Sequence, residues 1–133
     1  DKIKKNFRKF KNLNIEKEFI NMRIFFEKID ILITSGGVTS FEALCSNVKC
    51  INVPTNFYQR MSSNFQKKNK ISKLLSYTKV FSKNGKQLLI NCFKKISKEK
   101  NLLKKSIYLD NQGSRRIADY ILGTEFNKSI EVK

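Results

Sequence analysis

The stretch Asp30-Ile31-Leu32-Ile33-Thr34-Ser35-Gly36-Gly37 joins a nearly continuous apolar run to a turn with two glycines. An apolar run of this length without polar alternation is typical of a parallel strand that is buried on both faces. A helical segment follows over residues 39–47, and a second apolar run over 50–54 ends at the only proline of the chain. This order of strand, turn, helix and strand predicts a βαβ unit.

The apolar spacing predicts further elements on both sides of this unit. We expect helices over residues 2–11, 62–75, 85–100 and 114–122, a short helix that carries Ile24, Phe25 and Phe26, a strand over 13–18 and a third core strand over 78–81. Residues 55–60 are predicted to form a polar loop. Because strands alternate with helices, the expected fold is α/β: a three-layer, Rossmann-like parallel sheet with flanking helices, in a single domain that spans residues 1–133.

The 133 residues carry a formal net charge of +17, which raises the question of a nucleic-acid partner. The excess is mostly lysine, and the lysines spread over most of the chain without the interleaved aromatic residues of a single-strand binding surface. We therefore expect that nucleic acid is not the partner. A basic nucleic-acid-binding module is the alternative interpretation of the charge. A weak association with a membrane surface is a further expectation, and a basic surface also attracts a ligand that carries a diphosphate.

Histidine is absent, so the commonest general base and a frequent zinc ligand are missing. The three cysteines show no Cys-x-x-Cys spacing and stand among apolar residues, which favours buried, reduced thiols. We expect neither a metal site nor a cofactor. No apolar run approaches the ~18 residues of a membrane-spanning helix, and no signal-peptide pattern opens the sequence, so a cytoplasmic location is predicted.

The turn after the first strand is the part of the sequence that points to chemistry. In open α/β sheets, ligands bind beyond the carboxyl ends of the strands, which is where Ser35, Gly36 and Gly37 fall. Without Cβ atoms, the two glycines allow a tight turn and a close approach of a ligand to their amides. The following helix directs its free N–H groups to the same place, where an anion is favoured, and Thr39 and Ser40 add hydroxyl groups.

Glu42 has two competing interpretations. The spacing Thr39-x-x-Glu42 fits a capping box, in which Thr39 caps the helix and Glu42 bonds back to the cap. Alternatively, the carboxylate, which lies one turn into the helix, binds a ligand at the helix N-terminus. The residues by themselves leave capping and ligand binding equally open.

Residues 30–54 resemble the segment D-L-x-I-x-x-G-G-x-T-x-x-E-x-x-x-x-G-x-P-x-I of GT-B proteins. This superfamily includes the bacterial glycosyltransferases that make lipid II, and the closer similarity is to the UDP-sugar hydrolases of pseudaminic acid biosynthesis and related spore-coat polysaccharide proteins. Three further segments agree with the family pattern: Asn21-Met22 before the first strand, Tyr58-Gln59 after the second, and residues 110–118, in which Arg116 matches the family's arginine. Tyr58 departs from the pattern, because the family has asparagine there.

The resemblance implies a ligand and its contacts. In the family, the glycines and the following hydroxyls lie against the diphosphate and sugar, the glutamate binds ribose hydroxyls, and the glutamine contacts the ligand. By position, the substrate-binding residues are expected to be Ser35, Gly36, Gly37, Thr39, Ser40, Glu42 and Gln59. The expected function is the binding of a nucleotide-sugar, a UDP-sugar by preference, as the C-terminal half of a hydrolase or glycosyltransferase of surface-glycan biosynthesis.

The resemblance also implies a missing part. Full proteins of the family have two Rossmann-like halves with the ligand between them, and the hydrolases place a catalytic histidine in the N-terminal half. The sequence has no histidine and no counterpart of the glycine-rich strand that opens the C-terminal half. We therefore expect a C-terminal portion of a longer polypeptide, or a chain that needs a partner half, and we predict no catalytic residue within it. A non-catalytic interaction domain that keeps the fold is a second alternative.

Overall fold

The structure, a computed structural model, describes residues 10–15, 21–99, 109 and 112–123. In this part of the chain, three short strands alternate with helices. The strands are β1 (Ile31–Thr34), β2 (Lys49–Asn52) and β3 (Lys73–Leu74). The helices are α1 (Met22–Phe26), α2 (Val38–Cys45), α3 (Phe57–Lys68), α4 (Tyr77–Val80), α5 (Gly85–Lys98) and α6 (Gly113–Leu122). The prediction of a mixed α/β fold, with a parallel sheet and flanking helices, is confirmed.

The sheet has the order β1-β2-β3, and both neighbouring pairs are parallel. Ile31 pairs with Lys49 and Thr34 pairs with Asn52, so β1 and β2 end at the same level. Asn52 also pairs with Leu74 in β3. The turn after β1 and the loop after β2 therefore leave the sheet at the same edge, which is its carboxyl edge.

One apolar cluster holds α1, α2 and the sheet together. Its buried members are Phe26, Ala43, Leu44, Val48, Cys50 and Ile71. β2 is the best covered strand, because it lies in the middle of the sheet. β1 lies at the sheet edge, where fewer neighbours cover a side chain, and Ile33 is 48% exposed. The prediction of a first strand buried on both faces is therefore wrong at Ile33.

Helix α3 begins earlier than the apolar spacing predicts. The side chain of Asn56 accepts a hydrogen bond from Gln59 N at 3.0 Å and so caps the first turn. The chain is therefore helical from Phe57 onward. The prediction of a polar loop over residues 55–60 is therefore wrong for residues 57–60.

The third strand does not lie where the sequence predicts it. Lys70 has a left-handed backbone with φ +58°, which stops the helical stretch, so the helix predicted over 62–75 is wrong beyond Lys68. The chain then enters β3, which pairs with β2. Residues 78–81, predicted as this strand, belong instead to α4 and its C-terminal cap.

The other predicted helices within the described residues, α1, α2, α5 and α6, are confirmed, and α2 ends two residues earlier than predicted. Residues 13–15 are not extended into a strand, so the first half of the strand predicted over 13–18 is wrong. Residues 16–18 and most of the helix predicted over 2–11 lie outside the described residues. Within the part of the chain that the structure describes, no helix has both the length and the apolar character that are needed to cross a membrane.

Candidate functional site

The two glycines after β1 both adopt a backbone conformation that other residues avoid. Gly36 has φ +95° and Gly37 has φ +79°, a region in which a Cβ atom is strained. Gly36 N donates a hydrogen bond to Thr34 Oγ1 at 3.4 Å, which holds the turn against the end of β1. Glycine at both positions therefore allows the sharp turn that leads from β1 into α2.

The two glycines differ in what surrounds them. A Cβ atom on Gly36 would stand 2.5 Å from Ser63 Oγ and 3.4 Å from Gln59 O, so α3 packs directly against this residue. A Cβ atom on Gly37 would have no atom within 4 Å. Gly36 therefore joins the turn to α3, whereas Gly37 presents an open face at the carboxyl edge of the sheet.

Helix α2 begins directly after this open glycine. Gly37 is the N-cap residue, and no side chain caps the helix. The amides of Val38, Thr39 and Ser40 lie in the first turn of the helix. The carbonyl groups four residues before them are not part of the helix, so these amides lack intrahelical hydrogen-bond partners. Together with the positive end of the helix dipole, such amides favour an anion.

The capping-box interpretation of Thr39 and Glu42 is wrong. The helix begins at Val38, so Thr39 is its second residue and Glu42 its fifth, and neither occupies a capping position. Gly37 causes the difference, because its positive φ lets the helix begin two residues earlier than a Thr39 cap would allow. Glu42 is exposed, and its carboxylate and the Thr39 hydroxyl have no hydrogen-bond partner among the residues described.

The hydroxyl of Ser40 is used inside the protein. Ser40 is fully buried, and its Oγ donates to Gly37 O at 2.8 Å and accepts from Gln66 Nε2 at 2.7 Å. Gln66 Oε1 accepts from Asn52 Nδ2 at 2.7 Å, and Asn52 Nδ2 also lies 3.3 Å from Ser72 Oγ. This buried polar network joins the end of β2, helix α3 and the first turn of α2. In this structure the Ser40 side chain positions the turn.

Gln59 lies in the first helical turn of α3, beside the turn that Gly36 and Gly37 form. Its Oε1 accepts hydrogen bonds from Thr55 N at 3.0 Å and from Thr55 Oγ1 at 2.8 Å, which closes the loop after β2. Its Nε2 group has no partner in the described part of the chain, and Ser35 is half-buried at the start of the turn. The structure thus brings the two separate segments of the predicted site, residues 35–42 and Gln59, to one edge of the sheet.

Three buried polar residues near the turn were not predicted from the sequence: Asn52, Ser63 and Gln66. Ser63 and Gln66 lie on one side of α3, and this polar side is visible in the sequence as a helical spacing. A polar side of a helix, however, ordinarily predicts exposure to solvent. The polar side of α3 was therefore visible in the sequence, but the ordinary rule predicts that this side faces solvent, whereas in the structure it faces the interior.

The chemistry of the site is that of recognition. It offers backbone amides, hydroxyls, the Gln59 carboxamide and the Glu42 carboxylate, which suit phosphate and hydroxyl groups. Burial raises the pKa of the nearby Cys50 thiol to about 12, so this group is protonated and lies 3.6 Å from Ser40 O as a weak donor. The described residues contain no group of three His, Cys, Asp or Glu side chains that could hold a metal ion.

Comparison of the chain with protein-family models, with curated proteins and with solved structures gives no match. The geometry of the site and the sequence pattern of residues 30–59 therefore carry the functional argument.

Proposed function

We propose that the chain binds a nucleotide-sugar, a UDP-sugar by preference, with the diphosphate at the turn formed by Gly36 and Gly37. The observation that carries this proposal is the open face of Gly37 directly before the uncapped N-terminus of α2, at the carboxyl edge of a parallel sheet. The resemblance of residues 30–54 to the GT-B segment supports the same ligand. The chain is accordingly proposed to be the C-terminal, Rossmann-like half of a GT-B protein of surface-glycan biosynthesis.

A diphosphate suits this turn for steric and electrostatic reasons. Phosphate oxygens can approach the amides of Val38 and Thr39 because no Cβ atom stands on Gly37 and no side-chain cap competes for them. Hydrogen bonds from amides to a charged phosphate are stronger than bonds to a neutral acceptor. The net charge of +17 adds a long-range attraction for the anion.

Glu42 is proposed to bind the ribose. Its carboxylate can accept hydrogen bonds at two oxygens, which fits two neighbouring hydroxyl groups. It is exposed on α2, one turn beyond the amides at the helix start, and it does not cap the helix. Gln59 Nε2 is proposed as a further donor to the ligand, because Gln59 Oε1 is already held by Thr55.

The proposed function is recognition, and the catalytic groups come from elsewhere. The chain has no histidine, and the residues around the turn supply hydrogen-bond donors and a single carboxylate. We propose that the groups for water attack or glycosyl transfer belong to an N-terminal Rossmann-like half, in the same polypeptide or in a partner chain.

Calorimetric titration with UDP, UMP and uridine tests the proposal. We expect UDP to bind most tightly, because the diphosphate meets the amides at the start of α2. Glu42→Gln is expected to weaken UDP binding about tenfold, since a charged acceptor of hydrogen bonds is lost, and to leave the melting temperature unchanged. Glu27→Gln is the matched control, because Glu27 is also an exposed glutamate, at the C-cap of α1, and its ion pair with Arg23 lies at the surface.

Three outcomes would speak against parts of the proposal. Equal affinity for UDP, UMP and uridine, or no binding of any of them, would show that the turn does not recognise a diphosphate. The same UDP affinity in Glu42→Gln as in Glu27→Gln would show that Glu42 does not bind the ribose. Salt-steep binding to DNA or RNA without a preference for UDP would favour the nucleic-acid-binding alternative.

A further inference from the structure

Helix α3 turns its polar side inward and its apolar side outward. Ser63 and Gln66 are fully buried, whereas Phe57 is 68% exposed, Met61 57% and Phe65 50%. A helix on the surface of a globular protein ordinarily has the opposite arrangement, with its apolar side chains facing the core. An exposed apolar surface of this kind marks a site of interaction.

The interior fixes this orientation of the helix. Gln66 bonds to Ser40 and to Asn52, at 2.7 Å in each case, and Gly36 packs against Ser63. If the helix turned to bury its aromatic side, the hydrogen bonds of Gln66 to Ser40 and Asn52 would be lost, and each loss costs free energy. The outward position of the aromatic side chains is therefore a consequence of how α3 packs.

The exposed side chains of α3 form a connected patch that extends to α2. Phe57 and Tyr58 lie edge to face with ring centroids 5.8 Å apart, and Phe65 faces Phe41 with centroids 6.4 Å apart. Phe57, Met61 and Phe65 are spaced four residues apart and so share one side of the helix. Five side chains make up this α3 aromatic face: Phe41, Phe57, Tyr58, Met61 and Phe65.

Cations accompany the α3 aromatic face. Arg60, Lys67 and Lys68 are exposed on the same helix, which contains no Asp or Glu, and the whole chain has a net charge of +17. Aromatic side chains beside lysine and arginine are the combination with which a helix settles into the interface of an anionic bilayer. We propose that the α3 aromatic face docks on an anionic lipid surface.

Charge favours a lipid surface over a second copy of the chain. Two copies that met through α3 would bring the cations of both helices together, with a net charge of +17 on each chain. A bilayer with anionic headgroups instead supplies negative charge around the whole patch, and its interfacial layer takes up aromatic rings. The inference does not depend on the proposed nucleotide-sugar site, because none of the five side chains of the α3 aromatic face is a proposed ligand contact.

Cosedimentation of the whole chain with lipid vesicles tests the proposal. One set of vesicles is phosphatidylcholine that contains phosphatidylserine, and the other is pure phosphatidylcholine, each at low and at physiological ionic strength. We expect binding to the anionic vesicles, weaker binding as the salt concentration rises, and little binding to the neutral vesicles.

Paired variants separate the patch from exposed aromatic residues elsewhere. Phe57→Ser with Phe65→Ser is expected to lower partition onto anionic vesicles at least about tenfold, because two rings no longer enter the interface. Phe81→Ser with Phe93→Ser removes two exposed rings from the α4–α5 region and is expected to change partition less than about twofold. Met61→Ser, which breaks no ring contact, is expected to weaken binding in the same direction as the first pair.

A second pair of variants separates local charge from total charge. Arg60→Glu with Lys68→Glu lowers the net charge at α3, and Lys86→Glu with Lys94→Glu lowers it by the same amount on α5, where both lysines are exposed. We expect the α3 pair to weaken binding to anionic vesicles about tenfold more than the α5 pair. Circular dichroism verifies that every variant keeps the fold.

Several results of these experiments would contradict docking on an anionic lipid surface. Equal losses in the two phenylalanine pairs, equal losses in the two charge pairs, or equal binding to anionic and neutral vesicles would overturn the proposal. A lack of binding to anionic vesicles at low ionic strength would also overturn it. A dimer that light scattering detects without vesicles, and that Phe57→Ser with Phe65→Ser abolishes, would assign the face to a second copy instead.

Discussion

Gln66 Nε2 donates a hydrogen bond to Ser40 Oγ over 2.7 Å in the interior, and this bond links helix α3 to the glycine turn. Ser40 extends the link, because its hydroxyl donates to Gly37 O at 2.8 Å. Asn52, at the end of β2, donates to Gln66 Oε1 from the other side. One chain of hydrogen bonds therefore holds the carboxyl edge of the sheet, α3 and the open glycine in place.

Gln66→Ala is expected to lower the free energy of unfolding by roughly 2–4 kcal/mol. The substitution leaves a cavity and removes one hydrogen-bond partner of Ser40 Oγ and one of Asn52 Nδ2, both in the interior. Urea denaturation followed by circular dichroism measures the change. A loss of this size is a large part of the stability of a small domain.

Gln87→Ala is the matched control for this substitution. Gln87 Nε2 donates to Asn91 Oδ1 at 2.8 Å, but the bond lies on the exposed side of α5. We expect its removal to change the free energy of unfolding by less than about 0.5 kcal/mol. Equal losses from Gln66→Ala and Gln87→Ala would mean that burial of the network adds no stability.

The strands differ in how far the sequence could predict them. β1 and β2 are apolar runs bounded by turn residues, so periodicity finds them. β3 has only two residues, Lys73 and Leu74, and no pattern of its own. It joins the sheet by pairing with β2. Leu75, the residue after β3, continues this pairing, since its N–H donates to Asn52 O at 2.9 Å. Contacts between residues so far apart in the sequence leave no local signal.

The candidate site shows the same limit at the level of side chains. The glycine turn could be predicted, because adjacent glycines after a strand indicate a backbone that other residues avoid. Thr39 and Ser40 are chemically alike in the sequence, yet one helical step of about 100° sends Ser40 into the interior and leaves Thr39 half-buried. Which hydroxyl turns inward depends on the helix start, and Gly37 sets that start through its φ of +79°.

Alanine at the two glycines is expected to cost different amounts of stability. Both substitutions place a Cβ atom on a residue with positive φ, which costs roughly 1–2 kcal/mol. Gly36→Ala adds a collision with Ser63 Oγ, which stands 2.5 Å from the added atom. We expect a loss of about 3 kcal/mol or more for Gly36→Ala and only the conformational cost for Gly37→Ala, measured by urea denaturation.

Ser63→Ala tests whether the collision is the cause. Ser63 Oγ is buried without a hydrogen-bond partner in the described part of the chain, so its removal is expected to be neutral or to stabilise by up to about 1 kcal/mol. In combination with Gly36→Ala, it should restore part of the loss, while the strain of the positive φ remains. Strictly additive effects in this double-mutant cycle would show that Ser63 does not oppose a side chain at position 36.

Cys50 is expected to resist alkylation in the folded protein. Burial raises the pKa of its thiol from the ordinary value of 9.0 to about 12, which lowers the thiolate fraction at neutral pH roughly a thousandfold. Iodoacetamide labelling with peptide mass spectrometry should modify the half-buried Cys45 and Cys92 first and reach Cys50 only in urea. Labelling of Cys50 as fast as Cys45 in native buffer would contradict its burial.

The same thiol makes stability depend on pH in the alkaline range. Below pH 9 Cys50 is protonated in both states, whereas above pH 9 the unfolded chain loses the proton that the folded chain keeps up to about pH 12. The free energy of unfolding therefore falls as pH rises, by about 1.4 kcal/mol per pH unit from this group. Cys50→Ala has no thiol to titrate at position 50, and its lysines are the same as those of the unchanged protein. The difference in free energy of unfolding between the unchanged protein and Cys50→Ala should therefore shrink from about pH 9 to about pH 10.5 in urea denaturation. A difference that stays constant over this range would show that the folded chain releases the Cys50 proton at the ordinary pKa.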